Sequence, residues 1–141
     1  MFIWFSDMKT KTCNHQTFSL GLHLIWCTKY RRDAFGEVEQ IELKRIFAET
    51  CAEYGWLLSA IEVMPEHVHL FVEISPNDRP VDVAKTLKSC SAIYMFAKFP
   101  DLKRRRFWGK AMWSRGTYYA SVGHISDETV KRYIEMQKAS Q

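Results

Sequence analysis

Two histidines separated by one residue, His67 and His69, form the most distinctive chemical feature of the sequence. They begin a run, 67–74, whose alternating apolar residues predict a β-strand. Because successive side chains of a strand point to opposite faces, both imidazoles project from one face, which we expect to be open. Two imidazoles so placed suit one divalent cation. The alternative interpretation is a pair of surface or hydrogen-bonded histidines.

A tyrosine and a glutamine near the C-terminus form a second candidate pair. Tyr133 and Gln137 lie four residues apart in a predicted helix, so their side chains share a face. Gln137 offers a neutral oxygen ligand and Tyr133 a phenol. The alternative is that Tyr133 packs against Val130 and Ile134 while Gln137 is solvated.

Together these side chains make up a set suited to phosphodiester transfer. Two imidazoles and one amide oxygen leave positions open on Mg²⁺ or Mn²⁺, where a phosphodiester oxygen could bind and be polarised. A phenol with an ordinary pKa of about 10 is a candidate nucleophile if the metal stabilises the developing charge. We expect no nucleotide cofactor, because ester exchange conserves bond energy and the sequence contains no P-loop.

Basic and aromatic residues are interleaved in two parts of a chain whose net charge is +4. Cations that meet phosphates beside rings that stack on bases are typical of single-stranded nucleic-acid binding. The candidate DNA-contacting residues are Lys29, Arg31, Arg32, Arg104, Arg105, Arg106 and Arg115. The alternative is a solvated basic face with ordinary core aromatics.

Length and composition exclude several classes of protein. With 141 residues and 47% hydrophobic residues, the chain is expected to form one globular domain rather than a disordered protein. Its apolar runs are far shorter than the roughly 20 residues of a membrane helix, so we expect no membrane partner. The sequence shows no secretory signal, and its four cysteines form no C-x-x-C pair. These features favour reduced thiols and a cytoplasmic location.

The hydrophobic periodicity predicts the elements that position these residues. Strands are expected at 20–28, 56–63, 67–74 and 111–122, and helices at 37–54, 81–99 and 127–139. The order β-α-β-β-α-β, followed by one more helix, predicts an α+β protein with a ferredoxin-like antiparallel sheet and an additional C-terminal helix. Residues 100–109 are expected to form a basic loop. Residues 1–18 are expected to be a poorly ordered leader, and residues 19–141 the domain.

The remaining histidines and tryptophans have plainer interpretations. We expect His23 to be a strand residue with a local hydrogen bond, and His124 to be a loop histidine or a phosphate contact. The tryptophans expected in the core or at a dimer interface, rather than as platforms for bases, are Trp26, Trp56, Trp108 and Trp113.

Six stretches of the chain, taken together, resemble one family. In order and spacing they are similar to the single-tyrosine HUH transposases of the insertion sequence 200/605 group. The stretches are Ile25–Arg32, Glu62–Leu70, Leu102–Trp108, Trp113–Gly116, Ser121–Gly123 and Arg132–Gln137.

This resemblance implies a prokaryotic transposase that acts as a homodimer on single-stranded DNA with hairpin ends. It implies that His67 and His69 are the metal pair, with Gln137 as the third ligand of Mg²⁺ or Mn²⁺. Tyr133 would be the nucleophile that forms a 5′-phosphotyrosine link, and its helix can serve the partner subunit. Two other functions remain open: a domesticated relative that processes repeat hairpins, and a non-catalytic module that binds single-stranded nucleic acid.

Overall fold

The computed structural model describes residues 3–4, 11–13, 16–18, 20–121 and 127–140. The strands are β1 (Ile3–Trp4), β2 (Lys11–Cys13), β3 (Gln16–Phe18), β4 (Leu20–Cys27), β5 (Leu57–Val63), β6 (His67–Ile74) and β7 (Tyr118–Ala120). The helices are α1 (Glu37–Glu53), α2 (Pro80–Lys98), α3 (Pro100–Phe107) and α4 (Asp127–Ser140), and a 3₁₀ turn covers Lys29–Arg31.

The sheet confirms the predicted α+β, ferredoxin-like arrangement. Its strands lie in the order β1-β5-β6-β4-β7, and every pair is antiparallel. The short interval between the predicted strands at 56–63 and 67–74 predicts an antiparallel hairpin, and β5 and β6 form one. Met64 closes its turn by donating its backbone N–H to the His67 carbonyl at 2.9 Å. The first and last of the predicted strands correspond to β4 and β7. Strand β4 lies next to β6, and β7 pairs with the other edge of β4.

The core lies between one face of this sheet and helices α1 and α2, and we call this face the helix-packed face. The predicted apolar side of β6 is buried there through Val68, Leu70, Val72 and Ile74. Helices α1 and α2 pack against each other, and α1 also packs against β5. The spacing of Leu43, Ile46, Phe47, Thr50, Cys51 and Tyr54 predicts one stripe on α1, and the first five of these residues are buried, as is Glu42. The prediction is wrong for Tyr54, which follows the last residue of α1 and is 52% exposed.

Two expectations between α2 and β7 are wrong. The expected basic loop at 100–109 contains helix α3, which begins at Pro100 and buries Leu102 and Phe107. The expected strand at 111–122 is reduced to the three residues of β7 and an isolated bridge between Thr28 and Trp113. The carbonyls of Ser114 and Gly116, just before β7, accept hydrogen bonds from Lys88 of α2.

Short strands lie in the first 18 residues, where we predicted none. Strand β1 pairs with the outer edge of β5, and β2 pairs with β3. That this segment is a leader separate from the domain stays a prediction. Within the described ranges, no helix is long and apolar enough to cross a membrane.

Candidate active site

His67 and His69 lie on the sheet face opposite the helix-packed face. The antiparallel register places Cys27 across from His67 and Ile25 across from His69. Our expectation that this face is open is wrong, because the two histidines are only 7% and 5% exposed. Helix α4 packs against β4, the neighbour of β6 in the sheet. We call this surface the histidine face.

A carboxylate from the preceding residue holds the ring of His67. The Glu66 Oε1 atom lies 2.6 Å from His67 Nδ1, and Glu62 Oε1 lies 4.0 Å from His67 Nε2. A carboxylate that accepts from one ring nitrogen fixes the orientation of the imidazole and leaves the other nitrogen available to a metal. The short Glu66 contact therefore fits His67 for coordination through Nε2.

A third histidine, His23 on β4, contacts His69. The His23 Nδ1 and His69 Nε2 atoms are 3.0 Å apart, so one ring donates its N–H to the other. His23 lies in a strand, as expected, but this hydrogen bond is not local, because its partner is 46 residues away on β6. Burial, and then proximity to His23 and His67, lower the pKa of His69 to about 3. His69 is therefore neutral at neutral pH, which is the protonation state that binds metals.

The donor set decides what cation could bind here. Across the described ranges, no three His, Cys, Asp or Glu side chains form a group that could hold a metal ion. A site built on His67 and His69 therefore needs a donor of another type, and the amide oxygen of Gln137 is such a donor. Two imidazoles and one amide oxygen could together hold a divalent cation with positions left open. That the cation is Mg²⁺ or Mn²⁺ stays a prediction.

Tyr133 belongs to the helix that packs on the histidine face. Its ring lies 5.5 Å from the ring of Tyr118, and Tyr118 pairs with Ile25, the register partner of His69. The Tyr133 hydroxyl is buried and has no hydrogen-bond partner within the described part of the chain. Burial raises the pKa of this phenol, and nearby Cys27 raises it further. At neutral pH the phenol therefore keeps its proton.

Gln137 lies against the loop that precedes β7. A Cβ atom on Gly116 would be 3.1 Å from both the oxygen and the nitrogen of the Gln137 amide. Tyr133 thus contacts Tyr118 of β7, and Gln137 lies beside Gly116 in the loop before β7. That Gln137 and the two histidines bind a single ion stays a prediction.

Sequence reasoning missed Lys88, which lies in α2. Its Nζ donates to the Ser114 carbonyl at 2.7 Å, to the Gly116 carbonyl at 3.3 Å and to the Thr117 hydroxyl at 3.3 Å. Burial lowers the pKa of Lys88 to about 8. Lys88 therefore fixes the loop that Gln137 contacts, and nothing in the local sequence pattern signals this role.

The candidate DNA-contacting residues differ in their exposure. Residues 29, 31 and 32 are half-buried around the 3₁₀ turn, whereas residues 104–106 are exposed on α3 and residue 115 is exposed beyond it. Arg104 pairs with Asp101 at 2.8 Å. The prediction for His124 lies outside the described residues.

The tryptophan expectation is confirmed for three residues. Trp26, Trp56 and Trp113 are buried, whereas Trp108 is 65% exposed and so does not belong to the core.

Comparisons with known proteins agree with this architecture. The sequence model described as "Transposase IS200 like" matches residues 16–137. The ISDra2 transposase TnpA of Deinococcus radiodurans is 37% identical over 121 residues, which cover 85% of each chain. The transposase for insertion sequence element IS200 of Salmonella typhimurium is 26% identical and covers 90% of this chain and 82% of its own.

Two solved structures are similar as well. A crystal structure described as a transposase from Deinococcus radiodurans R1 superimposes with a TM-score of 0.83 at 35% identity, covering 90% of this chain and 97% of the other. A REP-associated tyrosine transposase bound to a REP hairpin gives a TM-score of 0.54 at 11% identity, covering 88% and 69%, and so supports the fold alone. From the family match over most of its length and the ISDra2 relative, the chain belongs to the IS200-like transposase family.

Proposed function

We propose that this transposase cleaves and rejoins single-stranded DNA at the ends of an insertion element through a 5′-phosphotyrosine intermediate. The observation that carries the proposal is the buried Tyr133 hydroxyl, which has no described hydrogen-bond partner and lies on the sheet face that holds His67 and His69. A buried phenol without a partner is costly to the fold unless another group, such as a phosphodiester, approaches it.

In the proposed reaction, His67, His69 and Gln137 hold Mg²⁺ or Mn²⁺. When bound, the ion would polarise the phosphodiester and stabilise charge on its oxygens. Glu66 holds the ring of His67 in position, and low-pH protonation of His69 is suppressed by burial.

Tyr133 carries the covalent step. Its phenol oxygen forms a bond to phosphorus while the bond from phosphorus to the 3′ oxygen breaks, and the net proton transfer is from the phenol to the departing 3′-hydroxyl. Because the raised pKa keeps the proton on the Tyr133 phenol in the free protein, the attack requires that this proton be transferred. Rejoining is the reverse reaction with a different 3′-hydroxyl, so no nucleotide is consumed.

The proposed partner is single-stranded DNA with hairpin ends, bound by a homodimer. The chain belongs to a family of transposases and presents exposed cations at 104–106 and 115. The proposed contacts to phosphates are made by Lys29, Arg31, Arg32, Arg104, Arg105, Arg106 and Arg115.

A covalent-adduct assay tests the proposal. A labelled single-stranded end substrate should become attached to the protein in Mg²⁺ or Mn²⁺ and not in a chelator. Tyr133→Phe should form no adduct, whereas the matched variant Tyr118→Phe should retain most of it. An adduct in Tyr133→Phe would refute the assignment of the nucleophile.

The same assay separates the alternative functions. Metal-independent binding without any adduct from the wild-type chain would favour a non-catalytic binding module. An adduct formed only on chromosomal repeat hairpins would favour a domesticated relative. If α4 serves the partner subunit, mixing Tyr133→Phe with His67→Ala should restore the adduct, and that result would also establish the dimer.

A further inference from the structure

We propose that Tyr30 and Trp108 form a stacking platform for unpaired bases of single-stranded DNA. We call these two residues, with the cations Lys29, Arg32 and Lys110, the aromatic platform. The inference rests on the proposed function, because it assumes that single-stranded DNA is the partner. It adds a base-binding surface outside the histidine face.

The rings of the aromatic platform are exposed and joined by one guanidinium group. Trp108 is 65% exposed and Tyr30 is 42% exposed. The Arg32 Cζ atom lies 3.7 Å from the centroid of the Trp108 ring and 5.5 Å from that of Tyr30. Lys29 Nζ and Lys110 Nζ lie 5.3 Å and 6.0 Å from the Tyr30 centroid. Exposed aromatic rings beside several cations can stack on bases while the cations meet phosphates.

The backbone of the aromatic platform adopts a conformation that bulky residues rarely take. Within the described ranges, the non-glycine residues with positive φ are Tyr30 at 61°, Arg31 at 52° and Trp108 at 49°. Such conformations cost free energy and concentrate at functional sites. Trp108 takes this conformation as the residue that ends α3, and Tyr30 and Arg31 take it within the 3₁₀ turn. The ends of these two elements therefore hold the two exposed rings in one patch.

Hydrogen bonds attach the platform firmly to the active-site side of the sheet. Lys29 donates its backbone N–H to the Met112 carbonyl at 2.8 Å, which connects the segments that carry the two rings. Thr28 donates its backbone N–H to the Glu66 carbonyl at 2.9 Å, next to His67. Helix α4, which carries Tyr133, packs against the 3₁₀ turn that contains Tyr30. A strand bound on the platform would therefore run beside the nucleophile's helix.

The chemistry favours unpaired bases over other occupants. An anionic strand complements the three cations, and the flat faces of unpaired bases complement the two rings. In a duplex the bases are stacked on one another, so their faces are not available to Trp108. The platform therefore predicts a preference for single strands that does not depend on base identity.

The test is the binding of a fluorescent oligothymidylate to the full chain in a chelator, where no cleavage occurs. Trp108→Ala should weaken binding by about 5- to 150-fold, the range expected when one base no longer stacks on a ring. Trp108→Phe should retain most of the affinity. The slope of affinity against salt should not change, because a ring releases no counterions. Tyr94→Ala removes another exposed aromatic, 57% exposed on α2, and should bind within twofold of wild type.

Two results would overturn the platform. One is oligothymidylate binding by Trp108→Ala within twofold of wild type, and the other is an equal loss on a blunt duplex of the same length. If Trp108→Ala lowers the melting temperature, oligothymidylate binding by Tyr30→Leu is measured instead, and the same two results in that variant would overturn the platform. A wild-type chain that binds no single-stranded DNA would instead refute the proposed function itself, so the two failures are distinguishable.

Discussion

The two faces of the central sheet are both buried but have opposite chemistry. On the helix-packed face, β6 contributes Val68, Leu70 and Val72, which are fully buried among apolar side chains. On the histidine face, the same strand contributes His67 and His69, which are nearly as buried but hydrogen-bonded to Glu66 and His23. One eight-residue strand therefore supports a core on one side and a polar site on the other.

This contrast separates stability from chemistry. Apolar burial stabilises the fold by about 25 cal/mol per Å², whereas buried polar groups are near neutral only when their hydrogen bonds are complete. Substitutions on the helix-packed face should therefore act through unfolding. Substitutions on the histidine face should act mainly on the reaction.

The largest effects are expected when one large side chain on each face is replaced with alanine. His67→Ala should reduce adduct formation by more than roughly 100-fold. Mutation of a residue that only orients a metal ligand already lowers metal affinity or activity by about 10–100-fold, and loss of the ligand itself should lower activity further. Its DNA binding should change little. Trp26→Ala should instead lower the free energy of unfolding by about 3–5 kcal/mol, because Trp26 is fully buried between Phe47 and Trp113.

The measurements are the adduct assay, DNA binding in a chelator and chemical denaturation. The contrast between the faces would be broken if His67→Ala lost as much unfolding free energy as Trp26→Ala.

Acid stability should reveal the buried imidazole of His69. Its folded-state pKa is about 3, below the ordinary 6.5, so between these values the unfolded chain binds a proton that the folded chain does not. The free energy of unfolding should thus fall as the pH falls from 6.5 towards 3, by up to about 1.4 kcal/mol per pH unit from this group. Denaturation in a chelator checks this, and His69→Gln should show a shallower slope. Equal slopes in both proteins would contradict the burial of a neutral His69.

Gly116→Ala should disturb the site without disturbing the fold. The new Cβ would lie 3.1 Å from the Gln137 amide, which must shift by a few tenths of an ångström. We expect metal-dependent cleavage to fall about 3- to 10-fold, since small misplacements at reacting centres are costly. The melting temperature should stay near that of wild type.

A double-mutant cycle gives the control for Gly116→Ala. In a Gln137→Ala background the substitution should have almost no effect, because the clashing amide is absent. Additive losses would show that Gly116 acts through something other than Gln137.

The smallest effect is expected away from both faces. Replacing Arg104, Arg105 and Arg106 with Gln should leave folding and adduct formation at saturating DNA unchanged. The salt dependence of binding should become shallower by about 0.7 in slope for each phosphate that the variant no longer binds. Arg79→Gln, which replaces an exposed arginine just before α2, is the matched control and should not alter the slope. An unchanged slope in the triple variant would remove α3 from the DNA interface.

The helix-packed face could be predicted from sequence because its information is local. Alternation from His67 to Ile74 predicted the bounds of β6, and the stripe that includes Leu43 and Phe47 predicted α1 almost to the residue. Helix α3 was missed because its run of arginines hides a pattern of only two buried residues, Leu102 and Phe107.

The histidine face depends on information that no local pattern contains. The contact between His23 and His69 spans 46 residues and is set by the register of β4 against β6. The hydrogen bond from Lys88 to the Ser114 carbonyl likewise joins elements 26 residues apart. The residue types therefore indicated the chemistry, but not the coverage of the face or the groups that hold the site in place.

The tight hairpin between β5 and β6 limits how the chain can vary in length. The Met64 backbone N–H donates to the His67 carbonyl at 2.9 Å, and the Pro65 carbonyl accepts from the Ala34 backbone N–H at 2.9 Å. These hydrogen bonds fix the path of the connection. Because Glu66 is adjacent to His67 in the chain, one inserted residue between them would separate the carboxylate from the ring it orients. Relatives of this protein should therefore tolerate insertions and deletions elsewhere, but keep this connection at a constant number of residues.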